Sequence, residues 1–156
     1  MRRGRRGAGA HPHVYALLAL AALAAVRVAA APLAGADLPV KVIAHPSRAG
    51  GVAVSDARAI YLKQKQYWSD GQAIVPINRE SGSAARERFS AGVFGKDSRR
   101  MAEYWNRRYF DAGEFPPATL ASDDAVIRFV ARTPNAIGYV LSKDPGDSVA
   151  VVLEIE

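Results

Sequence analysis

Apolar positions fall into short runs separated by small and polar residues, and their period changes along the chain. Residues 38–44 (LPVKVIA) alternate and are rich in branched side chains, which predicts a strand ended by His45-Pro46-Ser47. Residues 48–51 read as a loop whose flexible point is Gly50-Gly51. Ser55 is then the expected cap of a helix with Ala59, Ile60 and Leu62 on one broad face, closed by the positive charge of residues 63–65. Tyr67-Trp68-Ser69-Asp70-Gly71 leads through an Asp-Gly turn into a second strand, residues 74–78.

A helix starting near Ser83 carries Ala85, Phe89 and Val93 at fourfold spacing, a core stripe that Gly95 stops. Asp97 or Ser98 caps a third helix, with Met101, Tyr104, Trp105 and Tyr109 on one side. Arg99, Glu103 and Arg107 lie four apart on the other, as a solvated, ion-paired face does. Phe115-Pro116-Pro117 reads as a turn. Ser122 caps a fourth helix over 123–131, with acidic residues in its first turn and Arg132 at its end. Residues 135–138 make the return, and 137–141 and 149–155 read as strands. Strands alternating with helices predict an α/β layer fold.

The first 36 residues change how charge is read. Arg2, Arg3, Arg5 and Arg6 precede an Ala/Leu-rich apolar run over 14–26, and small residues follow up to Ala34-Gly35-Ala36. That is a secretory signal pattern, and Arg27 interrupts the run before it could cross a bilayer. Cleavage is expected after Ala36, leaving Asp37 first, with Ala29-Ala30-Ala31 as an alternative that would leave Pro32 there. Five of the 21 Lys and Arg fall in this segment and none of the 15 Asp and Glu, so the remainder carries 16 against 15, a net charge of +1. The basic balance of the whole chain is thus no argument for nucleic acid. Residues 37–156 suffice for one modest core and one domain. Without cysteine, an exported chain has no disulfide staple, no thiol nucleophile and no thiolate metal site.

Candidate chemistry concentrates in residues 74–89, IVPINRESGSAARERF. A strand delivers Arg79 to a loop, Gly82 allows a tight turn, and Ser83 stands at a helix N-cap with free N–H groups behind it. Such a helix start attracts negative charge, and a guanidinium fork matches phosphate or carboxylate oxygens better than a lysine does. The same spacing also describes an ordinary capped surface helix. Other chemistries lack residues. His45 is the only histidine outside the signal segment, and its place before a proline suits a structural role. There is no G-x-S-x-G elbow, P-loop or G-x-G-x-x-G. Asp123 and Asp124 are neighbours at a helix start, where they point apart and serve the dipole. Neither an enzyme nor a cofactor is expected.

In order, the helix with Ala59-Ile60-Tyr61-Leu62, the W-x-D-G turn at Trp68, residues 74–77, Arg79 with Gly82-Ser83, and Thr133-Pro134-Asn135-Ala136-Ile137-Gly138-Tyr139-Val140 resemble the phosphate-binding substrate-binding proteins of ABC transporters. The resemblance runs from Leu38 to the end of the chain. It implies a periplasmic binding protein-like (type II) α/β domain, compact or truncated, with a mixed sheet flanked by helices, in a periplasmic or secreted protein. It also implies phosphate or a similar oxyanion as ligand and an ABC transporter permease as partner. By position, the anion would meet the Arg79 guanidinium, the Ser83 hydroxyl and the backbone N–H groups of Ala84 and Ala85. This chain departs from the family in having Ala84 and Ala85 where glycine and then threonine follow the serine, and in lacking the early glycine/serine-rich loop. The alternative is an interaction module without ligand, presenting Tyr67, Trp68, Tyr104, Trp105, Tyr109 and Phe110.

Overall fold

The computed structural model describes residues 38–141 and 144–156; the expected signal segment and its cleavage site lie outside them. Five strands, β1 (Val40–Ala44), β2 (Val75–Arg79), β3 (Ala118–Leu120), β4 (Ala136–Val140) and β5 (Ala150–Ile155), form one sheet in the order β3-β2-β4-β1-β5. β2 runs parallel to both β3 and β4, whereas β1 runs antiparallel to β4 and β5. The sheet is therefore mixed, and its neighbouring helices are α1 (Val54–Tyr61), α2 (Ala84–Phe89), α3 (Ser98–Ala112) and α4 (Asp123–Arg132). α2 continues without a break into a π-helical turn, Ser90–Phe94, which Gly95 ends in the left-handed conformation.

Alternation along the strands divides the core between the two faces. Val40, Val42, Ala44, Ile137 and Tyr139 join Ile60 and Tyr61 of α1, Ala85 and Phe89 of α2, and Met101 of α3. Ile43, Ile77 and Val140 meet Val126 and Val130 of α4 on the opposite face. Two chain segments leave parallel strands on opposite sides: β2 feeds α2 on the first face, and β3 feeds α4 on the second. Close approach explains one motif glycine. A Cβ at Gly138 would lie 2.5 Å from Val126 Cγ1, so only glycine lets α4 sit this near β4.

Aromatic rings fix the strand end that carries the site. Tyr139 stacks on Phe89 with centroids 3.9 Å apart, and Tyr61 meets both rings edge-on. The Tyr61 hydroxyl donates to the Ile77 and Ile137 carbonyls at 2.9 and 3.3 Å, tying β2 to β4 from below.

Three expectations need correction. Ser55 does not cap α1; the helix starts at Val54 after Ala53, which makes no side-chain cap, and Leu62 is already its C-cap residue. The chain turns into α1 before the first good capping side chain. β3 was not expected, because three residues after Pro116-Pro117 are too short to show a period, yet parallel pairing to residues 77–79 defines it. Asp123 does more than serve the helix dipole, as its contacts below show.

Candidate functional site

β2 and β3 end side by side, and the chain leaves them toward opposite faces of the sheet. Crevices at such points, outside the carboxyl ends of parallel strands, are where open α/β sheets bind ligands. Two helices begin here. Ser83 caps α2, its Oγ accepting from the Arg86 N–H at 3.3 Å, and Ser122 caps α4, accepting from the Ala125 N–H at 3.1 Å. Gly82, at φ +83°, makes the left-handed turn that brings Ser83 into the cap position.

Arg79 is the last residue of β2 and is buried, 7% exposed. Its backbone is set by Tyr139, whose hydroxyl accepts from the Arg79 N–H at 3.1 Å and donates to Asn78 Oδ1. Its side chain reaches across to α4, where Nη1 pairs with the Asp123 carboxylate and Nη2 donates to the Ala121 carbonyl at 3.3 Å. Nε is buried without a hydrogen-bond acceptor. Desolvation pulls this guanidinium below the ordinary arginine value. The other Asp123 oxygen accepts from the Leu141 N–H at 2.9 Å, so one carboxylate links the exits of β2 and β4.

Arg86 lies in the stretch whose spacing also describes an ordinary capped surface helix, yet it is buried, 8% exposed. Its Nη1 donates to the Arg79 carbonyl at 2.8 Å, and among the described residues no carboxylate forms an ion pair with it. The signal was in the spacing, since Arg86, Phe89, Ser90 and Val93 follow the i, i+3, i+4, i+7 pattern of a single buried face.

The four sequence-derived site residues lie along one connection from β2 to α2, with the Arg79 guanidinium directed to Asp123 and Ala121. Ser83 is half-buried, its hydroxyl donating to the Glu80 carbonyl at 2.9 Å; Ala84 is exposed and Ala85 is buried. As first and second residues of α2, Ala84 and Ala85 have N–H groups with no intrahelical acceptor.

The most specific motifs have a structural task instead. Arg48 Nη1 contacts Asp70 at 2.6 Å, its Nη2 donates to Asn135 Oδ1 at 2.7 Å, and its guanidinium lies 5.5 Å from the Trp68 ring centroid. Trp68 Nε1 donates to the Asn135 carbonyl at 3.2 Å. The W-x-D-G turn and the strand approach at Asn135 are therefore two halves of one clamp. His45 is structural as well, its Nδ1 accepting from the Ser47 N–H at 3.1 Å. The aromatic set divides: Trp105 is buried, Tyr104 is half-buried, and Tyr67, Tyr109 and Phe110 are exposed.

The chain is similar in structure to a Clostridium perfringens protein described as a phosphate ABC transporter substrate-binding protein and solved with bound phosphate. That match has a TM-score of 0.54 at 23% identity and covers 74% of this chain and 44% of that one. An ABC-type phosphate transport receptor from Vibrio cholerae matches with a TM-score of 0.56 at 14% identity, over 74% of this chain and 45% of the receptor. The fold is periplasmic binding protein-like. The chain spans less than half the length of either protein of that fold. No family model and no curated protein matches the sequence. Among the described residues, no helix of this binding protein-like domain is long and apolar enough to cross a membrane.

Proposed function

We propose that the protein is an exported, non-enzymatic binding module that takes phosphate or a similar oxyanion at the Arg79 turn. The observation that carries this reading is a charge imbalance. Two buried guanidinium groups, Arg79 and Arg86, flank the start of α2, and Asp123 is the one carboxylate ion-paired to either among the described residues. An uncompensated buried cation is costly, and a bound anion offsets that cost. The Ala84 and Ala85 N–H groups at the start of α2 add donors without an intrahelical acceptor. On binding, Ser83 exchanges the Glu80 carbonyl for an anion oxygen, and Arg79 is shared between Asp123 and the anion. A site open on one side leaves part of the anion in water, where each contact contributes less than in a closed cleft.

Export through residues 1–36 and delivery of the anion to an ABC transporter permease complete the proposal. They draw support from the fold and from the transport proteins that share it. A second reading, an interaction module that binds no anion, draws on the exposure of Phe110, at 82%, and Phe115, at 61%. Calorimetric titration of phosphate into the purified protein, with sulfate and a neutral sugar as controls, separates them. Saturable heat with phosphate that the sugar does not give is expected. Absence of heat and of thermal stabilisation at millimolar phosphate would overturn the anion reading.

A further inference from the structure

Beside the crevice lies a groove of about 350 Å³ whose size exceeds what a bare tetrahedral anion fills. Arg86, Ser81 and Asn106 are among its polar lining, and Trp105, Tyr109 and Phe115 supply aromatic surface. Small-molecule pockets begin at about 300 Å³ and combine apolar walls with a few placed polar groups, which is the make-up here. The rings of Tyr109 and Phe115 stand 5.0 Å apart at the lip, 46% and 61% exposed. Arg86 is more than nine-tenths buried, lacks a carboxylate partner among the described residues, and is one of the residues that line this groove.

Resting on the oxyanion reading above, we propose that the ligand is an organic oxyanion, its charged end toward Arg86 and its planar apolar body along Trp105, Tyr109 and Phe115. A phosphomonoester with an aromatic substituent meets both requirements. The guanidinium gives direction through charge-assisted hydrogen bonds, and the rings gain from covering apolar surface that is otherwise wet.

The test compares phenyl phosphate, inorganic phosphate and phenol by calorimetric titration of the full chain. Phenyl phosphate is expected to bind about tenfold more tightly than inorganic phosphate, a difference of about 1.4 kcal/mol, with phenol showing no saturation. Tyr109→Ala with Phe115→Ala, both at exposed positions, should abolish that preference while leaving inorganic phosphate binding unchanged. Equal binding of the two phosphates would overturn the groove assignment and leave the oxyanion site standing. No binding of either would overturn both, and phenol binding as tightly as phenyl phosphate would overturn recognition through Arg86. Arg86→Ala removes the bond to the Arg79 carbonyl and is a poor folding risk; the two rim substitutions therefore carry the test, with circular dichroism confirming the fold.

Discussion

Arg79 ends β2 and Arg48 lies in the turn just after β1 of the same sheet, yet their surroundings differ in kind. Arg48 is balanced by Asp70, held by Asn135 and laid over Trp68, so its charge and its fork are spent inside the protein. Arg79 shares its turn with Arg86, and the two have one ion-paired carboxylate, Asp123. Arg79 and the partners of Arg48, Trp68, Asp70 and Asn135, all fall in the stretches that carry the family resemblance. What separates a clamp from a candidate site is therefore charge balance, together with position at the carboxyl ends of parallel strands.

The largest effect should come from removing the carboxylate at the crevice, with its counterpart at the clamp as the contrast. Asp123→Asn leaves a buried guanidinium without its partner and should cost about 3–5 kcal/mol in urea unfolding, part of it recovered by phosphate or sulfate. Asp70→Asn, at a half-exposed pair that solvent screens, should cost far less and show no recovery by anions. Equal anion rescue of the two variants would erase the distinction.

pH acts on the two centres from opposite ends. Burial pushes the Tyr139 phenol up to about 12, and burial also raises Tyr61. Between pH 10 and 12 the unfolded chain loses the Tyr139 proton while the folded chain keeps it. The contribution of Tyr139 is therefore complete below pH 10 and falls by about 3 kcal/mol on going to pH 12, centred on the crevice. At the clamp, the hydrogen bond from Arg48 and then the Gln72 N–H hold the Asp70 carboxyl below its usual value. Its contribution is present above the ordinary carboxylate range and is lost as pH falls through the lowered value. Unfolding curves across pH should show both edges, and Asp70→Asn should flatten only the acid one.

Tyr139→Phe sharpens the contrast further. It deletes the hydroxyl that serves the Arg79 N–H and Asn78 Oδ1, and should cost about 1–3 kcal/mol while weakening phosphate binding, with no effect on the Arg48 clamp. The smallest change is Ser83→Ala, about 1 kcal/mol from a lost helix cap. A weaker phosphate affinity at matched folded fraction distinguishes its ligand role from its cap role.

Cap chemistry made much of this legible in the sequence. Ser83, Asp97 and Ser122 each cap the helix expected of them, because a short polar side chain before an apolar stripe acts locally. The Arg79 turn was legible for the same reason. The pairing of Arg79 with Asp123 was not, since the two meet only through the parallel pairing of β2 with a strand too short to announce itself. Arg86 was hidden by its charge, although its spacing with Phe89 and Val93 placed it inward. Motif specificity also misled in one respect: the W-x-D-G turn and Asn135 are among the most recognisable residues, and they build the clamp rather than the crevice.

The most direct measurement is a phosphate titration followed through the backbone amide signals of the isotopically labelled protein. Saturable shifts concentrated at Ala84 and Ala85, with residues 48–51 unmoved, are the predicted result. Shifts centred on the Arg48 loop, or no saturable shift at Ala84 and Ala85 at millimolar phosphate, would contradict the assignment of the anion site to the Arg79 turn.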